Sequence, residues 1–224
     1  MVLQLHAMNN QIIIISRTQN NWEKLKNLQP AIRCIQCDLS KKDDVLQLIK
    51  AFDSENTQID MYINNAALQF TPKLTDPDFE FDTIEQETTT NFTAVVWLSS
   101  LLLPQLLRQK EALIVNISSG LAFAPKSSSA VYCATKAALH SISQSLRYQL
   151  TNTPIQVVEV ILPMVDTPMT QGRNGKKISA KFAAEQIIKG ITRGDEEIYV
   201  GKARFLPMMM RICPGLVKRM LSKY

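Results

Sequence analysis

Apolar residues in this chain come in short unbroken runs separated by longer amphipathic stretches. Ile12–Ile15 is a continuous β-branched run, as expected of a strand covered on both faces. Ile32–Cys37, Met61–Asn64, Leu113–Ile117, Ile155–Leu162 and Ile198–Val200 are further strand candidates. Between them the apolar spacing predicts helices over about 20–28, 41–54, 80–109, 130–151 and 178–192. Ser40 followed by Asp43 reads as the N-cap of the second of these. Pro104 lies inside the long 80–109 pattern and is expected to kink or break its last turns. Met1–Met8, with Leu3, Leu5 and Met8, reads as the end of a helix. Strand–helix alternation of this kind implies an α/β fold, an open, doubly wound parallel sheet between helical layers.

Composition narrows the function classes. The 224 residues contain 7 glycines, all at or after Gly120, against about 16 at average usage. No glycine-rich phosphate loop exists in the first half, whether GxGxxG or GxxxxGK[ST]. After Glu197 there are six basic residues (Lys202, Arg204, Arg211, Lys218, Arg219, Lys223) and no acid, which leaves 19 basic and 20 acidic residues before them. A neutral body with a basic tail does not suit a nucleic-acid domain, whose cations would spread over a face with interleaved aromatics. No apolar run is long enough for a spanning helix, and residues 1–10 lack the features of a signal peptide. Four cysteines suit a reducing, cytoplasmic compartment; Cys34-x-x-Cys37 lies in or beside a strand and reads as two strand cysteines rather than a redox or zinc site. His6 and His140 fit no metal-ligand spacing, so no metal is expected.

Tyr132 and Lys136 open the 130–151 helix at i, i+4, on one face. A phenol titrates near 10 and is a poor acid–base group at neutral pH, but a fixed cation beside it favours phenolate. Lowering its pKa by about three units needs about 4 kcal/mol of differential interaction. Such a pair moves a proton to or from an alcohol or carbonyl oxygen. Alone, a Tyr-x3-Lys also reads as two exposed helix residues. The surroundings sharpen it: Leu113–Ser119 is a strand ending in hydroxyls 13 residues before Tyr132, and strand carboxyl ends form the ligand crevice of parallel α/β sheets. Asn64-Asn65-Ala66-Ala67 and Asp38 end two other strands. Asn91 falls inside a helix, where a polar residue is either solvated or bonded inward at a helix distortion.

The set Asp38, Asn64-Asn65-Ala66, Asn91, Ser119, Tyr132-x3-Lys136 and Pro163-x3-Thr167 resembles the short-chain dehydrogenase/reductase superfamily over the whole chain. Ile117–Pro125 together with Leu162–Thr167 is similar to a bacterial subgroup from the D-alanine–lipoteichoic acid operon. The resemblance implies an oxidoreductase that interconverts a small-molecule alcohol and carbonyl. In it Tyr132 exchanges the proton, Ser119 (with Ser118 the runner-up) bonds the substrate oxygen, and Lys136 tunes Tyr132 and bonds the nicotinamide ribose. Asn91 would anchor a water relay. Asp38 would bond adenine, Asn65 and Ala66 would line the ribose, and Pro163 and Thr167 would meet the nicotinamide. Ser16-Arg17 ends the first strand without an acid, so NADP is preferred over NAD.

Departures from the family pattern carry their own expectations. Ala67 and Met164 stand where glycines are usual, which is tolerable at negative φ. The family's opening strand and TGxxxGIG turn are absent from these residues, so residues 1–224 are expected to form a single, truncated Rossmann-type domain. A gap should separate the strands at 12–15 and 60–64, and NADP(H) binding should be weak. The second reading is a chain that keeps the catalytic residues as an inactive remnant or interaction protein. Residues 164–182 are expected to form a substrate lid. For the basic helical tail, 202–224, two readings stay open: packing over the pocket or a partner subunit, and weak membrane-surface contact. By the same resemblance, the helices at 80–109 and 130–151 would form a homo-oligomer face.

Overall fold

A computed structural model describes residues 1–19, 22, 27 and 29–222. The helix expected over about 20–28 lies outside the described residues, apart from Trp22, which is buried, and the exposed Asn27. The chain forms two compact units, Met1–Gln58 and Ile59–Tyr224.

In the first unit α1 (Val2–His6) leads to β1 (Ile13–Ser16), which pairs in parallel with β2 (Arg33–Gln36); α2 (Lys42–Ser54) follows. Helix α2 turns Val45, Leu48, Ile49 and Phe52 inward, at the spacing of one helical face. The expected Ser40 cap does not form. The Asp38 carboxylate instead accepts both the Ser40 amide and the Ser40 hydroxyl, at 3.1 and 2.7 Å, closing a turn of its own, and the N-cap position falls to Lys41. Strand β1 is half-buried along its length rather than covered on both faces. Among the described residues it has β2 as its only strand partner, so the β-branched run that predicts full burial is covered only in part.

The second unit carries a four-stranded parallel sheet of β3 (Met61–Asn64), β4 (Ala112–Ser119), β5 (Ile155–Leu162) and β8 (Glu197–Tyr199), each new strand added beside the last. Helix α3 (Asp82–Thr88), a π-helical turn (Thr89–Thr93) and α4 (Ala94–Leu106) connect β3 to β4. Helix α5 (Ala130–Gln149) connects β4 to β5, and α6 (Ala180–Arg193) connects β5 to β8. Strands β4 and β5 are buried almost end to end, as parallel strands covered on both faces should be. Among the described residues β1 and β2 form one sheet, and β3, β4, β5 and β8 form another. Pro104 is accommodated inside α4, which runs two residues past it. Among the described residues only Asn9, Asn56 and Ser129 outside glycine have positive φ, so Ala67 and Met164 meet no left-handed strain.

Inside the sheet a polar seam crosses three elements. Asn64 and Asn116 are register partners on β3 and β4, joined by a 2.7 Å bond between their side chains. Asn116 continues to Ser143 of α5 at 2.9 Å, and the Tyr62 hydroxyl donates to Asn64. Every member is buried or half-buried and bonded, so the seam specifies register between β3, β4 and α5.

Beyond β5, the residues expected to form a lid are held by a two-residue ribbon, β6 (Val165–Asp166) with β7 (Ile178–Ser179). The Lys177 ammonium donates to the Thr170 carbonyl at 2.6 Å, closing the ribbon's mouth. The tail forms α7 (Leu206–Ile212) and α8 (Pro214–Leu221), each with a proline in its first turn.

Gly190 of α6 marks the tightest helix–strand approach, because a Cβ there would come within 2.6 Å of Ile198 Cγ1 and Cδ1 on β8. Ile198 is β-branched and cannot swing clear. Gly190→Ala should therefore lower stability by about 1–3 kcal/mol, outweighing the gain of about 1 kcal/mol that alanine brings to a free helix. Adding Ile198→Ala should recover part of the lost melting temperature. A single variant melting at or above the parent would show that the helix yields without cost.

Candidate active site

The site is built where the carboxyl end of β4 meets the first two turns of α5. Helical periodicity places Tyr132, Lys136 and His140 on one face of α5, and that face lies over β4 and β5. Lys136 is buried, and its ammonium donates to the Ile117 carbonyl at 2.8 Å. The same ammonium sits 5.6 Å from the centre of the Tyr132 ring. The Ser119 side chain stands near enough to the Tyr132 hydroxyl to pull its pKa down. Ser118 points to the other face of the strand, as alternation requires, and its buried hydroxyl has no hydrogen-bond partner among the described residues. Ser119, not Ser118, therefore shares a site with Tyr132. Its Oγ accepts the Leu121 amide at 3.2 Å, which leaves its own hydrogen to be donated outward.

Burial pushes the Tyr132 phenol up to about 12; the Cys133 thiol and Glu87 push the same way, while the Arg173 cation and the Ser119 side chain pull it down. Lys136 moves oppositely: burial lowers it to about 8, and the Glu159 carboxylate draws it partly back. At neutral pH the phenol keeps its proton and the ammonium keeps its charge, the combination needed to hand a proton to an oxygen.

Asn91 lies in the π-helical turn, where the helix widens and frees backbone geometry. Its amide faces inward. Oδ1 accepts the Leu68 amide at 2.7 Å, while Nδ2 donates to the Leu68 carbonyl at 2.8 Å and to the Thr135 hydroxyl at 3.2 Å. It thereby ties the segment leaving β3 to α5. Asn65 and Ala66 are exposed at the end of β3, and Pro163 and Thr167 follow β5, with Thr167 in a capping box with Thr170. Arg17 and Asp38 belong to the first unit: Arg17 is exposed just past β1, and Asp38 is committed to its turn with Ser40. Cys34 and Cys37 are free thiols, and burial together with Asp44 and Asp38 raises Cys37 to about 11, far from a reactive thiolate.

Two charged clusters escaped sequence reasoning. Beneath Lys136, Glu159 is fully buried in the middle of β5 and accepts His140 Nδ1 at 2.7 Å, with the His140 ring 4.6 Å from that of Phe123. His140, expected as a surface or partly buried helix residue, is partly buried and pairs with this carboxylate. A lone glutamate between Val158 and Val160 in an apolar strand was its sequence signal, since a charge in such a strand must be paired. Together with Glu197 this pair forms the one grouping of metal-type ligands among the described residues. Glu197 is already bonded to Arg147 and Tyr199, so the grouping reads as a charge network. On the other side of Tyr132 stand Glu87, Lys126 and Arg173. Glu87 is buried and accepts the Phe70 amide at 3.2 Å, and Arg173 donates to the Gln69 side chain. Burial lowers Lys126, with Arg173 adding to the effect.

The sequence model of the short chain dehydrogenase family matches residues 1–178. The uncharacterized oxidoreductase DltE of Bacillus subtilis (strain 168) is 36% identical over 206 residues, spanning 87% of this chain and 80% of its own. An uncharacterized oxidoreductase of Staphylococcus epidermidis is 30% identical over 195 residues, spanning 85% and 84%. In fold, the chain is similar to a short chain dehydrogenase from Burkholderia cenocepacia J2315 in complex with NADP. That likeness has TM-score 0.83 at 20% identity, over 96% of this chain and 87% of the other. A short-chain dehydrogenase from Sphingobium yanoikuyae in complex with NADPH gives TM-score 0.80 at 20% identity, over 99% and 89%. No helix among the described residues is long and apolar enough to cross a membrane.

Glu87 makes a pH prediction. Burial raises it from 4.5 to about 7, against the Phe70 hydrogen bond and Lys126, which lower it. The folded state therefore holds a proton that the unfolded state has lost between those values. Its contribution to stability is full below about 4.5 and is lost as pH rises through about 7. Glu87→Gln keeps the acceptor without the titration. It should gain about 1–3 kcal/mol relative to the parent on going from pH 4.5 to 8, read from urea unfolding midpoints. Parallel pH profiles for both proteins would refute the assignment.

Proposed function

Since the chain belongs to the short-chain dehydrogenase family of oxidoreductases, we propose that it interconverts a small-molecule alcohol and carbonyl using NADP(H), with Tyr132 as the acid–base group. The observation that carries this reading is the Ser119–Tyr132–Lys136 cluster at the carboxyl end of β4.

The residues present fit the nicotinamide end of a dinucleotide. An ammonium has three donors, and the Ile117 carbonyl takes one, leaving Lys136 able to hold a ribose diol. Asn65 and Ala66, exposed just past β3, are the proposed contacts of the same sugar, and Pro163 and Thr167, which follow β5, those of the carboxamide. Preference for NADP over NAD rests on the exposed Arg17 after β1, with no acid in Ser16–Gln19 to favour a free 2′-hydroxyl. Asp38 is the proposed adenine contact, through the carboxylate oxygen that Ser40 does not use. When bound, the nicotinamide supplies or takes the hydride at the substrate carbon.

In the reducing direction the Tyr132 hydroxyl gives its proton to the substrate oxygen. The Ser119 hydroxyl donates a hydrogen bond to the same atom, and the Lys136 cation steadies the phenolate left behind. In the oxidising direction the phenolate takes the alcohol proton. Asn91 serves as a positioning residue, fixing the β3 exit against α5. The ribbon-bound segment 164–182 is the proposed lid over the substrate. Assembly into a homo-oligomer through the α3–α4 and α5 faces belongs to the same reading, supported by the exposed Phe81 and Tyr148 there. A second reading, a chain that keeps these side chains without binding dinucleotide, is favoured by a first half of the sequence that holds no glycine-rich phosphate loop. Calorimetric titration with NADPH separates the two, saturable binding supporting the enzyme.

Tyr132→Phe should cut NADPH oxidation across a carbonyl panel by at least about 10²-fold while leaving NADPH affinity within about twofold. With the phenol held at about 12, alcohol oxidation should rise steadily with pH above neutrality while carbonyl reduction stays flat near pH 7. Arg17→Glu should raise the KM for NADPH more than tenfold, about 1.4 kcal/mol, with little change for NADH. Undiminished turnover in Tyr132→Phe would remove the acid–base assignment.

A further inference from the structure

Helices α7 and α8 show two different faces. Leu206 and Val217 turn inward and join Ala124, Ile161 and Ala203 in one buried cluster, with Met209, Met210 and Leu221 packed at its margin. The Ser222 carbonyl accepts the Ser127 amide at 3.0 Å, so the end of α8 is pinned to the segment before α5. The helices are therefore docked, and their outward side is presented rigidly.

That outward side is apolar. Phe205, Met208, Ile212, Leu216 and Met220 are 44, 56, 72, 59 and 54% exposed. They make up five of the thirteen large apolar side chains exposed among the described residues, gathered into sixteen positions, so the exposure is a patch rather than scatter. Met208 with Ile212, and Leu216 with Met220, are spaced four apart and stack along one side of each helix. Lys202, Arg204, Arg211, Lys218 and Arg219 are all exposed among them, and no acidic residue follows Glu197. Exposed methionine and isoleucine interspersed along this segment with charges of one sign suit an apolar partner with an anionic rim. A second copy of this face does not qualify, because like charges would be buried against each other with no carboxylate between them.

We propose that the outward face of α7–α8 docks peripherally on an anionic lipid surface. Met208, Ile212, Leu216 and Met220 enter the interface, and Arg204, Arg211, Lys218 and Arg219 meet headgroup phosphates. The helices lie on the surface; neither is long enough to span it.

The test is co-sedimentation of the full chain with vesicles of phosphatidylcholine alone or mixed with phosphatidylglycerol. Apparent affinity should be at least about fivefold higher for the anionic vesicles and fall when salt is raised from about 0.1 to about 0.5 M. Ile212→Ser with Leu216→Ser, and separately Arg211→Glu with Lys218→Glu, should each reduce it by at least about fivefold. Both pairs are exposed, so circular dichroism melting should match the parent. Equal recovery on both vesicle types, or no pelleting at all, overturns the proposal. So does binding that survives both pairs, or a dimer in sedimentation velocity that Leu216→Ser dissociates.

Discussion

The 2.8 Å bond from the Lys136 ammonium to the Ile117 carbonyl fixes everything else at the site. It crosses the α5–β4 contact near the strand's end, so it sets both the height and the rotation of α5. One turn back along the helix, Tyr132 is then bound to arrive beside Ser119, two residues further along the strand. One turn forward, His140 is brought to Glu159 on the neighbouring strand. A helical period near four and a strand period of two are thus brought into register by one charged group. The Asn64–Asn116–Ser143 seam does the same for β3, from deeper in the sheet.

Burying that ammonium is costly, and the local electrostatics answer the cost on both sides. Desolvation draws Lys136 down to about 8, yet the Glu159 carboxylate keeps it from falling further, and His140 in turn keeps Glu159 from standing alone. Around the phenol the balance is reversed. Burial, Cys133 and Glu87 hold the proton on Tyr132, while Arg173 and the Ser119 side chain loosen it. Under the proposed mechanism such a phenol releases its proton only when its neighbours favour phenolate, and an adjacent ammonium with a developing alkoxide would be such a case.

How far this was legible in the sequence depends on the range of the signal. Strands β3 and β5 begin and end where their largely apolar runs do, because parallel strands covered by helices are built mostly of apolar residues. Tyr132 and Lys136 were legible because both lie on one helix and their spacing alone puts them together. The inward turn of Asn91 could be anticipated, but its partner Leu68 lies 23 residues away and no local pattern names it. Glu87 and Arg173 were illegible for the same reason, since each is an ordinary surface-type residue until distant segments close over it. Ser40 misled because it fits a capping pattern locally, and Asp38 two residues before it claimed its hydroxyl first. Strand β1 misled differently: four β-branched residues report what a strand could bury, not what stands beside it to bury them against.

The loop between β4 and α5 joins the chemistry to the tail. Ser129 takes a left-handed conformation, φ 54°, immediately before the helix that carries Tyr132. A serine there stores strain of about 1–3 kcal/mol, which persists only when its surroundings over-determine it. Part of that restraint comes from α8, whose Ser222 carbonyl accepts the Ser127 amide two residues earlier. Another part comes from the buried cluster that Val217 and Leu206 share with Ala124, in the same loop. The segment that presents the apolar, basic face outward is therefore also the one that braces the entry to α5 from within. Its inward residues are under tertiary constraint that its outward residues are not. Substitutions at Val217 should disturb Tyr132 through the loop, whereas those at Leu216, one position away on the outer shoulder, should leave the site untouched.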